Sequence, residues 1–214
     1  MKNWFTLFIL LIFSALSTLR CESQKNESVD FKSLVKSNLP IWVEMQKKAN
    51  PKVNIEKFFI KEKRTLKPDY IRDIDAKEYI KQNCCWNIFD NYSPDSTKIL
   101  NIYNYRYDIE KKNDKILISE GGPDSKIELI DIKNNKIHRY DFVGTPEEYN
   151  DCFWIDNDSF IVATTREVFE KYGYFETTFK IYDLPNHLKL VYASNVYFKA
   201  VENYMKLRYP DHYR

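Results

Sequence analysis

The side chains of this sequence best able to do chemistry are those of its four cysteines. Cys84 and Cys85 are adjacent, and Cys152 lies 67 residues after Cys85. In an oxidising compartment, a disulfide from Cys84 or Cys85 to Cys152 would stabilise the folded protein by about 4 kcal/mol, because it lowers the conformational entropy of the unfolded chain. Alternatively, all three are small buried apolar side chains. A zinc site is disfavoured, because adjacent cysteines do not match the spaced pairs of structural zinc sites and no histidine is near them.

Catalytic and metal-binding motifs are missing or isolated. Ser33 and Lys36 fit a Ser-x-x-Lys pattern, but its companion Ser-Asp-Asn and Lys-Thr-Gly motifs are absent. Asp156 and Asp158 lack the further oxygen ligands and the terminal glutamate of a calcium loop. The three histidines share no spacing, and four glycines are too few for a glycine-rich phosphate loop. We therefore expect no catalytic residue, no metal ion and no cofactor.

Aromatic residues make up 16% of the chain and offer a surface for recognition. Tyr103, Tyr105 and Tyr107 alternate in a segment rich in strand-forming residues, so we expect them on one face of a strand. That face is a candidate binding surface for a sugar or a peptide. The alternative is that these tyrosines only cover the sheet, because strands favour tyrosine.

The N-terminal residues predict export. Lys2 precedes an apolar run over residues 4–16, which is typical of a secretory signal and too short for a transmembrane helix of ~20 residues. Residues 1–20 are therefore predicted to be a signal peptide, with an uncleaved anchor as the alternative. The small residues Ala15 and Ser17 would permit cleavage after Ser17.

Cys21 offers a second route of processing. In its length and in the polar tether over residues 22–28, the N-terminus resembles bacterial lipoprotein signals. It departs from them at Leu19 and Arg20, where small residues are usual. The resemblance implies acylation of Cys21, a periplasmic or outer-membrane location, and membrane contact only through the acyl chains.

The charge balance argues against nucleic acid as a partner. Lys and Arg total 33 and Asp and Glu total 31, which leaves a formal charge of +2. Loss of residues 1–20 removes Lys2 and Arg20, so the mature chain is neutral and has no field to steer it toward a polyanion. The abundance of Lys, Asn, Ile and Tyr resembles proteins of AT-rich bacterial genomes such as those of the Bacteroidetes.

The segment before the cysteine pair combines several elements. Residues 21–83 are predicted to be a polar tether followed by a mixed helical and strand segment. Phe31, Leu34 and Val35 lie at helical spacing and predict a short helix. Pro40 is expected to open a second helix, because proline is tolerated in a first helical turn.

Residues 84–194 are predicted to form a β-rich domain, because short apolar runs alternate there with polar turns. Turns are expected at 133–136 and 183–187. The expected strands lie at 99–103, 116–118, 127–132, 137–142, 160–163, 177–182 and 188–193.

The last segment changes period. Residues 195–214 are predicted to be a C-terminal helix and tail, with Phe198 and Met205 on the apolar face of the helix. Ser194 or Asn195 is expected to cap this helix, because a short oxygen-bearing side chain satisfies a first-turn N–H.

The same order of signals occurs twice in the β-rich domain. Cys85-Trp86-Asn87-Ile88 precedes Ser93-Pro94-Asp95-Ser96-Thr97-Lys98, and Cys152-Phe153-Trp154 precedes Asp158-Ser159. These motifs resemble the Ser-Pro-Asp-Gly-Lys repeats of TolB-like β-propellers. The resemblance implies a mainly β fold: an antiparallel meander of two four-stranded propeller-blade-like units, with N-terminal helical segments and a C-terminal helix.

A propeller needs ~4–8 blades, and this chain has room for two. We therefore expect either a sandwich of the two units or an open fragment covered by helices. A simple antiparallel meander that did not arise by duplication would also show this kind of repeated motif order.

These observations favour a non-enzymatic exported protein that binds another protein, either a toxin or a component of the envelope. An immunity protein that neutralises a toxin in the periplasm is the concrete form of this hypothesis. The alternatives are an envelope glycan-binding protein, a glycan hydrolase or a structural lipoprotein. The sequence leaves the oligomeric state open.

Overall fold

A computed structural model of the chain describes residues 30–82, 88–113, 115–145, 147–168, 171–199 and 203–214. The predicted signal peptide, Cys21, Cys84 and Cys85 lie outside these ranges. The described residues contain twelve strands, four α-helices and one 3-10 helix, and every strand pair is antiparallel. The prediction of a mainly β, antiparallel fold is therefore confirmed.

The helices lie near the two ends of the described chain and between the second and third strands. They are α1 (Phe31–Asn38), α2 (Pro40–Ala49), the 3-10 helix (Ile55–Lys57), α3 (Ala76–Gln82) and α4 (Tyr204–Arg208). Pro40 is the first residue of α2, as expected.

The strands follow in chain order. They are β1 (Phe59–Thr65), β2 (Asp69–Asp73), β3 (Asn91–Tyr92), β4 (Lys98–Asn101), β5 (Tyr107–Lys112), β6 (Lys115–Glu120), β7 (Ser125–Asp131), β8 (Lys136–Val143), β9 (Glu147–Trp154), β10 (Ser159–Glu167), β11 (Phe175–Asp183) and β12 (Leu188–Phe198).

One sheet, here called the core sheet, has the order β1-β12-β11-β10-β9. Its central strands β10 and β11 are long and buried over almost their whole length. Helix α2 covers one face, where the Gln46 amide donates to the Thr165 hydroxyl at 3.3 Å and accepts from Thr177. Trp42 of the same helix donates to Asn150 at 3.1 Å.

The second sheet, here called the outer sheet, has the order β2-β8-β7-β4-β3, and the β5–β6 hairpin is inserted between β4 and β7. Helix α3 lies on its outward face, where Ile99, Ile130 and Ile137 form a small buried cluster with Tyr79 and Ile80 packed against it. This helix covers only part of that face.

The two sheets meet through an aromatic contact and through two turns. Tyr140 of β8 lies edge-on to Phe160 of β10, with ring centroids 6.4 Å apart. The turn before β4 and the turn before β10 also contact each other, because the Asp95 N–H donates to the Asn157 side chain at 2.9 Å and Lys98 pairs with Asp158 at 2.9 Å. The two motifs that looked alike in sequence are thus neighbours in space.

The core sheet and the outer sheet each have five strands rather than the expected four. The additional strands β1 and β2 pair with β12 and β8, respectively, so both belong to the segment placed before the β-rich domain. The charged sequence of β1 and the five exposed residues of β2 explain why neither strand is evident as an apolar run.

The predicted start of the C-terminal helix is wrong. Strand β12 continues to Phe198, whose ring stacks on Phe175 at 6.3 Å, because these residues are partners across β11 and β12. Helix α4 begins at Tyr204, and the Asn203 side chain caps it by accepting from the N–H of Met205 at 2.9 Å. The cap is therefore Asn203 and not Ser194 or Asn195.

Candidate functional site

The three tyrosines of the predicted binding face do not lie on one strand. Strand β4 ends at Asn101, whose side-chain oxygen accepts from the N–H groups of Tyr103 and Asn104, each at 3.0 Å. This local bonding holds residues 102–106 in a turn. The alternation that sequence analysis assumed is broken there, so the placement of all three side chains on one strand face was wrong.

Two of the tyrosines point inward. Tyr103 and Tyr107 are 3% and 2% exposed. The Tyr103 hydroxyl donates to the Asn150 carbonyl at 2.8 Å, and the Tyr107 hydroxyl donates to Glu148 at 2.8 Å. Both side chains hold the turn against β9, so neither belongs to an exposed binding face.

Tyr105, by contrast, is 48% exposed and belongs to a surface that sequence analysis did not foresee. Its ring lies edge-on to Phe142, itself 44% exposed, with centroids 5.7 Å apart. Lys126 Nζ is 5.0 Å from the Tyr105 centroid, and Arg139 Cζ is 5.8 Å from that of Phe142. We call Tyr105, Phe142, Lys126 and Arg139 the aromatic surface.

A groove of about 560 Å³ borders the aromatic surface and shares Lys126 with it. Glu128, 7% exposed, lies in this groove and accepts from Asn104 at 2.5 Å and from Lys126 at 2.8 Å. The other lining residues come from β2, α3 and β8, and they are Ile71, Arg72, Tyr79, Gln82 and Ile137.

The groove and the aromatic surface carry more basic than acidic groups. Arg139 pairs with Asp69 at 2.7 Å and Lys126 pairs with Glu128 at 2.8 Å, whereas Arg72 forms no ion pair with any residue that the structure describes. Burial raises the pKa of Tyr79, and Glu128 raises it further, so this phenol stays protonated and able to donate. The arrangement suits contacts with polar and aromatic groups.

A smaller cavity of about 280 Å³ lies on the other side of the 102–106 turn. Tyr103 lines this cavity, while its neighbour Asn104 lines the groove. The remaining lining includes Phe89, Asp90, Asp151, Cys152, Arg208 and Tyr209. Sequence reasoning missed Asp90 and Asp151, because 61 residues separate them and neither belongs to a recognisable motif.

The Asp151 carboxylate is buried and fixed by hydrogen bonds from neighbouring groups. It is 6% exposed, accepts from the Tyr204 hydroxyl of α4, and accepts from the Cys152 N–H at 2.9 Å. Burial raises the pKa of Asp151 above its usual value, although these hydrogen bonds and Arg208 oppose the shift.

Cys152 is buried and forms no disulfide with any residue that the structure describes. Asn91 donates to its carbonyl oxygen at 2.9 Å and to its Sγ at 3.3 Å. Burial, followed by the charge of Asp151, raises the pKa of this thiol far above its usual value, which makes it a poor nucleophile. Because Cys84 and Cys85 lie outside the described residues, a disulfide to Cys152 stays a prediction, as does acylation of Cys21.

A buried ionic cluster links the core sheet to the outer sheet, and it lies outside the linings of the groove and of the cavity. Asp141 of the outer sheet accepts from the Tyr182 hydroxyl at 2.7 Å and pairs with Lys189 at 3.0 Å and Lys180 at 3.4 Å. Lys180 also pairs with Glu147 at 2.8 Å. Burial would raise the pKa of Asp141, but the two lysines lower it to about 2. Its four charged groups form ion pairs with one another, and Asp141 of the outer sheet is thereby joined to two lysines of the core sheet.

No protein-family model, curated protein or solved structure matches this chain. Within the described ranges, no three His, Cys, Asp or Glu side chains lie close enough together to hold a metal ion. None of the described helices has the length and hydrophobicity to cross a membrane.

Proposed function

We propose that this chain is an exported bacterial envelope protein that binds another protein and catalyses no reaction. The observation that supports this most directly is the aromatic surface around Tyr105 and Phe142, beside a groove of about 560 Å³. Tyr and Arg are enriched in the energetically dominant centres of protein interfaces, and Lys126 and Arg139 lie over these rings.

Exposure of these rings needs a reason, because single apolar side chains at a surface are common but paired aromatic rings beside a concave surface are not. Tyr105 and Phe142 come from a turn and an edge-proximal strand, both fixed by the outer sheet. A rigid platform of this kind loses little conformational entropy on binding.

A specific observation favours testing one alternative, a glycan hydrolase: Asp90 and Asp151 line the same cavity. Hydrolases use two carboxyl groups ~5–10 Å apart across a cleft. Against this alternative, Asp151 already accepts from Tyr204 and from the Cys152 N–H, and 280 Å³ is below the ~300–1,000 Å³ of small-molecule sites. The glycan hydrolase alternative would be supported if the protein hydrolyses envelope glycans and the Asp90→Asn variant does not.

Export and acylation at Cys21 belong to the same proposal. Mass spectrometry of the mature N-terminus in the producing cells should find a chain that begins at an acylated Cys21 and is neutral in formal charge. A chain that begins after Ser17 would support the prediction of export and contradict the prediction that Cys21 is acylated. An intact Met1 in the soluble cell interior would reject both.

The fold is proposed to have arisen from two TolB-like blades. The strands β3-β4-β7-β8 and β9-β10-β11-β12 follow the same antiparallel order, and each set adds an edge strand beside its last member. The turns at 93–98 and 155–159 occupy equivalent places before the second strand of each set. Two such sheets fit an open pair more readily than a closed ring.

The test of the proposed function is recovery of a partner from solubilised envelope of the producing cells. The wild-type protein and Tyr172→Ala, a control at a side chain that is 93% exposed, should recover the same partner. The double variant Tyr105→Ala/Phe142→Ala should lose it. If the partner is encoded by a neighbouring gene and is toxic to cells that lack the present protein, the present protein is an immunity protein. Equal recovery of the partner by the wild type and both variants would contradict the proposal.

A further inference from the structure

The 280 Å³ cavity beside the 102–106 turn combines aromatic walls with carboxylates. Phe89 is 4% exposed, and its ring centroid lies 4.8 Å from that of Tyr103 and 5.2 Å from that of Tyr209. Three rings therefore meet along one lining. Aromatic faces attract cations, and the attraction grows where water is excluded.

The carboxylates of this cavity are unequally compensated. Asp151 has Arg208 nearby and a hydroxyl donor from Tyr204. Asp90 accepts only a long hydrogen bond from Tyr92 at 3.4 Å and forms no ion pair within the described part of the chain. Two acids against one guanidinium leave one negative charge in the lining without a partner.

The surroundings of Asp90 point the same way. Burial raises its pKa, and the Tyr92 hydroxyl opposes this only in part, so the ionised form lacks the stabilisation that a cation would provide. Arg208 interacts with Asp151 rather than with Asp90. Burial lowers the pKa of Arg208, but the Asp151 carboxylate, together with Tyr204 and Tyr209, raises it above its usual value.

We infer that this cavity binds an organic cation of the ammonium or guanidinium class, with Asp90 as its counter-ion and Phe89, Tyr103 and Tyr209 as its aromatic walls. The inference does not depend on the partner-binding role of the aromatic surface. A lysine or arginine side chain of a protein and a free small amine share this chemistry, and both would fit a cavity of this size.

The inference is tested by NMR titration of the ¹⁵N-labelled protein with n-butylammonium at constant ionic strength. The reporter is the Cys152 amide, which donates to Asp151, together with the amide of Asn91. Saturable shifts are expected with n-butylammonium. The neutral n-butanol, which has the same alkyl chain, should bind at least tenfold more weakly.

Three variants make the test specific. Asp90→Asn keeps the shape of the side chain and should weaken binding of n-butylammonium at least tenfold, whereas Glu44→Gln, an exposed acid on α2, should leave it unchanged. Arg208→Gln removes the competing cation and should strengthen binding about threefold, which a misfolded protein could not do.

A blocked tripeptide, acetyl-Gly-Lys-Gly-amide, separates the two sources of the cation. Binding of the peptide and the amine supports a protein side chain as ligand, and binding of the amine alone supports a small molecule. Equal binding of n-butanol, unchanged affinity in Asp90→Asn, or no saturable shift would overturn the inference.

Discussion

The core sheet and the outer sheet share a strand order but differ in what covers them. In the core sheet, β10 and β11 are buried on both faces, between helix α2 on one side and the outer sheet on the other. In the outer sheet, the outward face is only partly covered by α3, and β2 is exposed along its whole length.

This difference separates a scaffold from a presenting surface. The buried sheet fixes the position of the other by means of Phe160 and the Asp141 cluster. The sheet that remains half open carries Phe142, the turn with Tyr105, and the groove. Substitutions in the core sheet should therefore affect stability, and substitutions on the open face should affect binding.

The largest contrast is expected between two phenylalanines. Phe160 is fully buried and stacks on Tyr182 at 4.8 Å, so Phe160→Ala should cost about 3–5 kcal/mol of unfolding free energy. Phe142→Ala should cost below about 0.5 kcal/mol, because the ring is 44% exposed. Urea denaturation followed by circular dichroism measures both. Similar losses for the two variants would contradict the division into scaffold and surface.

The junction between the sheets comes next. Asp141→Asn leaves Lys180 and Lys189 without their shared carboxylate and should cost about 3 kcal/mol at neutral pH. The folded-state pKa of Asp141 is lowered to about 2, so its contribution is complete above about pH 4 and is lost as the pH falls through about 2.

The difference in stability between the wild type and Asp141→Asn should therefore shrink over that acid range. Asp108→Asn, at an exposed carboxylate, is the matched control and should stay close to the wild type throughout. A constant gap between wild type and Asp141→Asn down to pH 2 would show that the charge of Asp141 does not join the sheets.

On the open face, the effect should appear in binding. Tyr105→Ala/Phe142→Ala should weaken binding of the recovered partner at least about tenfold, or ~1.4 kcal/mol, with the urea midpoint nearly unchanged. Calorimetry or surface plasmon resonance with that partner measures the change, and Tyr172→Ala should bind as the wild type does. A loss of affinity that only follows a loss of stability would argue against a contact role.

The smallest predicted contrast concerns equivalent hairpin turns. Asn135 in the outer sheet and His187 in the core sheet both have positive φ, 56° and 50°. His187→Gly should gain about 0.5 kcal/mol by relieving strain. Asn135→Gly should lose about 1 kcal/mol, because the Asn135 side chain also accepts from the Ala76 N–H at the start of α3, at 3.2 Å. Thermal unfolding of both variants decides whether the shifts have opposite signs.

Much of the fold could be predicted from local pattern. The strands over 127–142 and 160–193 were evident because apolar runs alternate with polar turns. Strands β1 and β2 were not, because they are exposed edge strands whose pairing depends on β12 and β8, far away in sequence. Phe198 was assigned to a helix because its spacing from Met205 is helical, although its partner Phe175 holds it in a strand.

The site was predicted only in outline. Tyr105 was predicted, together with Tyr103 and Tyr107, to lie on one strand face that does not exist, because the side chain of Asn101 turns the backbone there. The groove joins β2, α3, β7 and β8, and the cavity joins residues 61 apart, so no spacing in the sequence could indicate either one. Long-range contacts of this kind arise from topology.

The most direct test of the central claim is site-specific photo-crosslinking in the cells that produce the protein. A benzoylphenylalanine at position 105 should crosslink to one envelope protein, and the same group at position 172, where the native tyrosine is 93% exposed and thus more accessible than Tyr105, should not. Crosslinking of that protein from position 172 but not from position 105, or identical products from both positions, would contradict the assignment of the outer sheet as the binding surface.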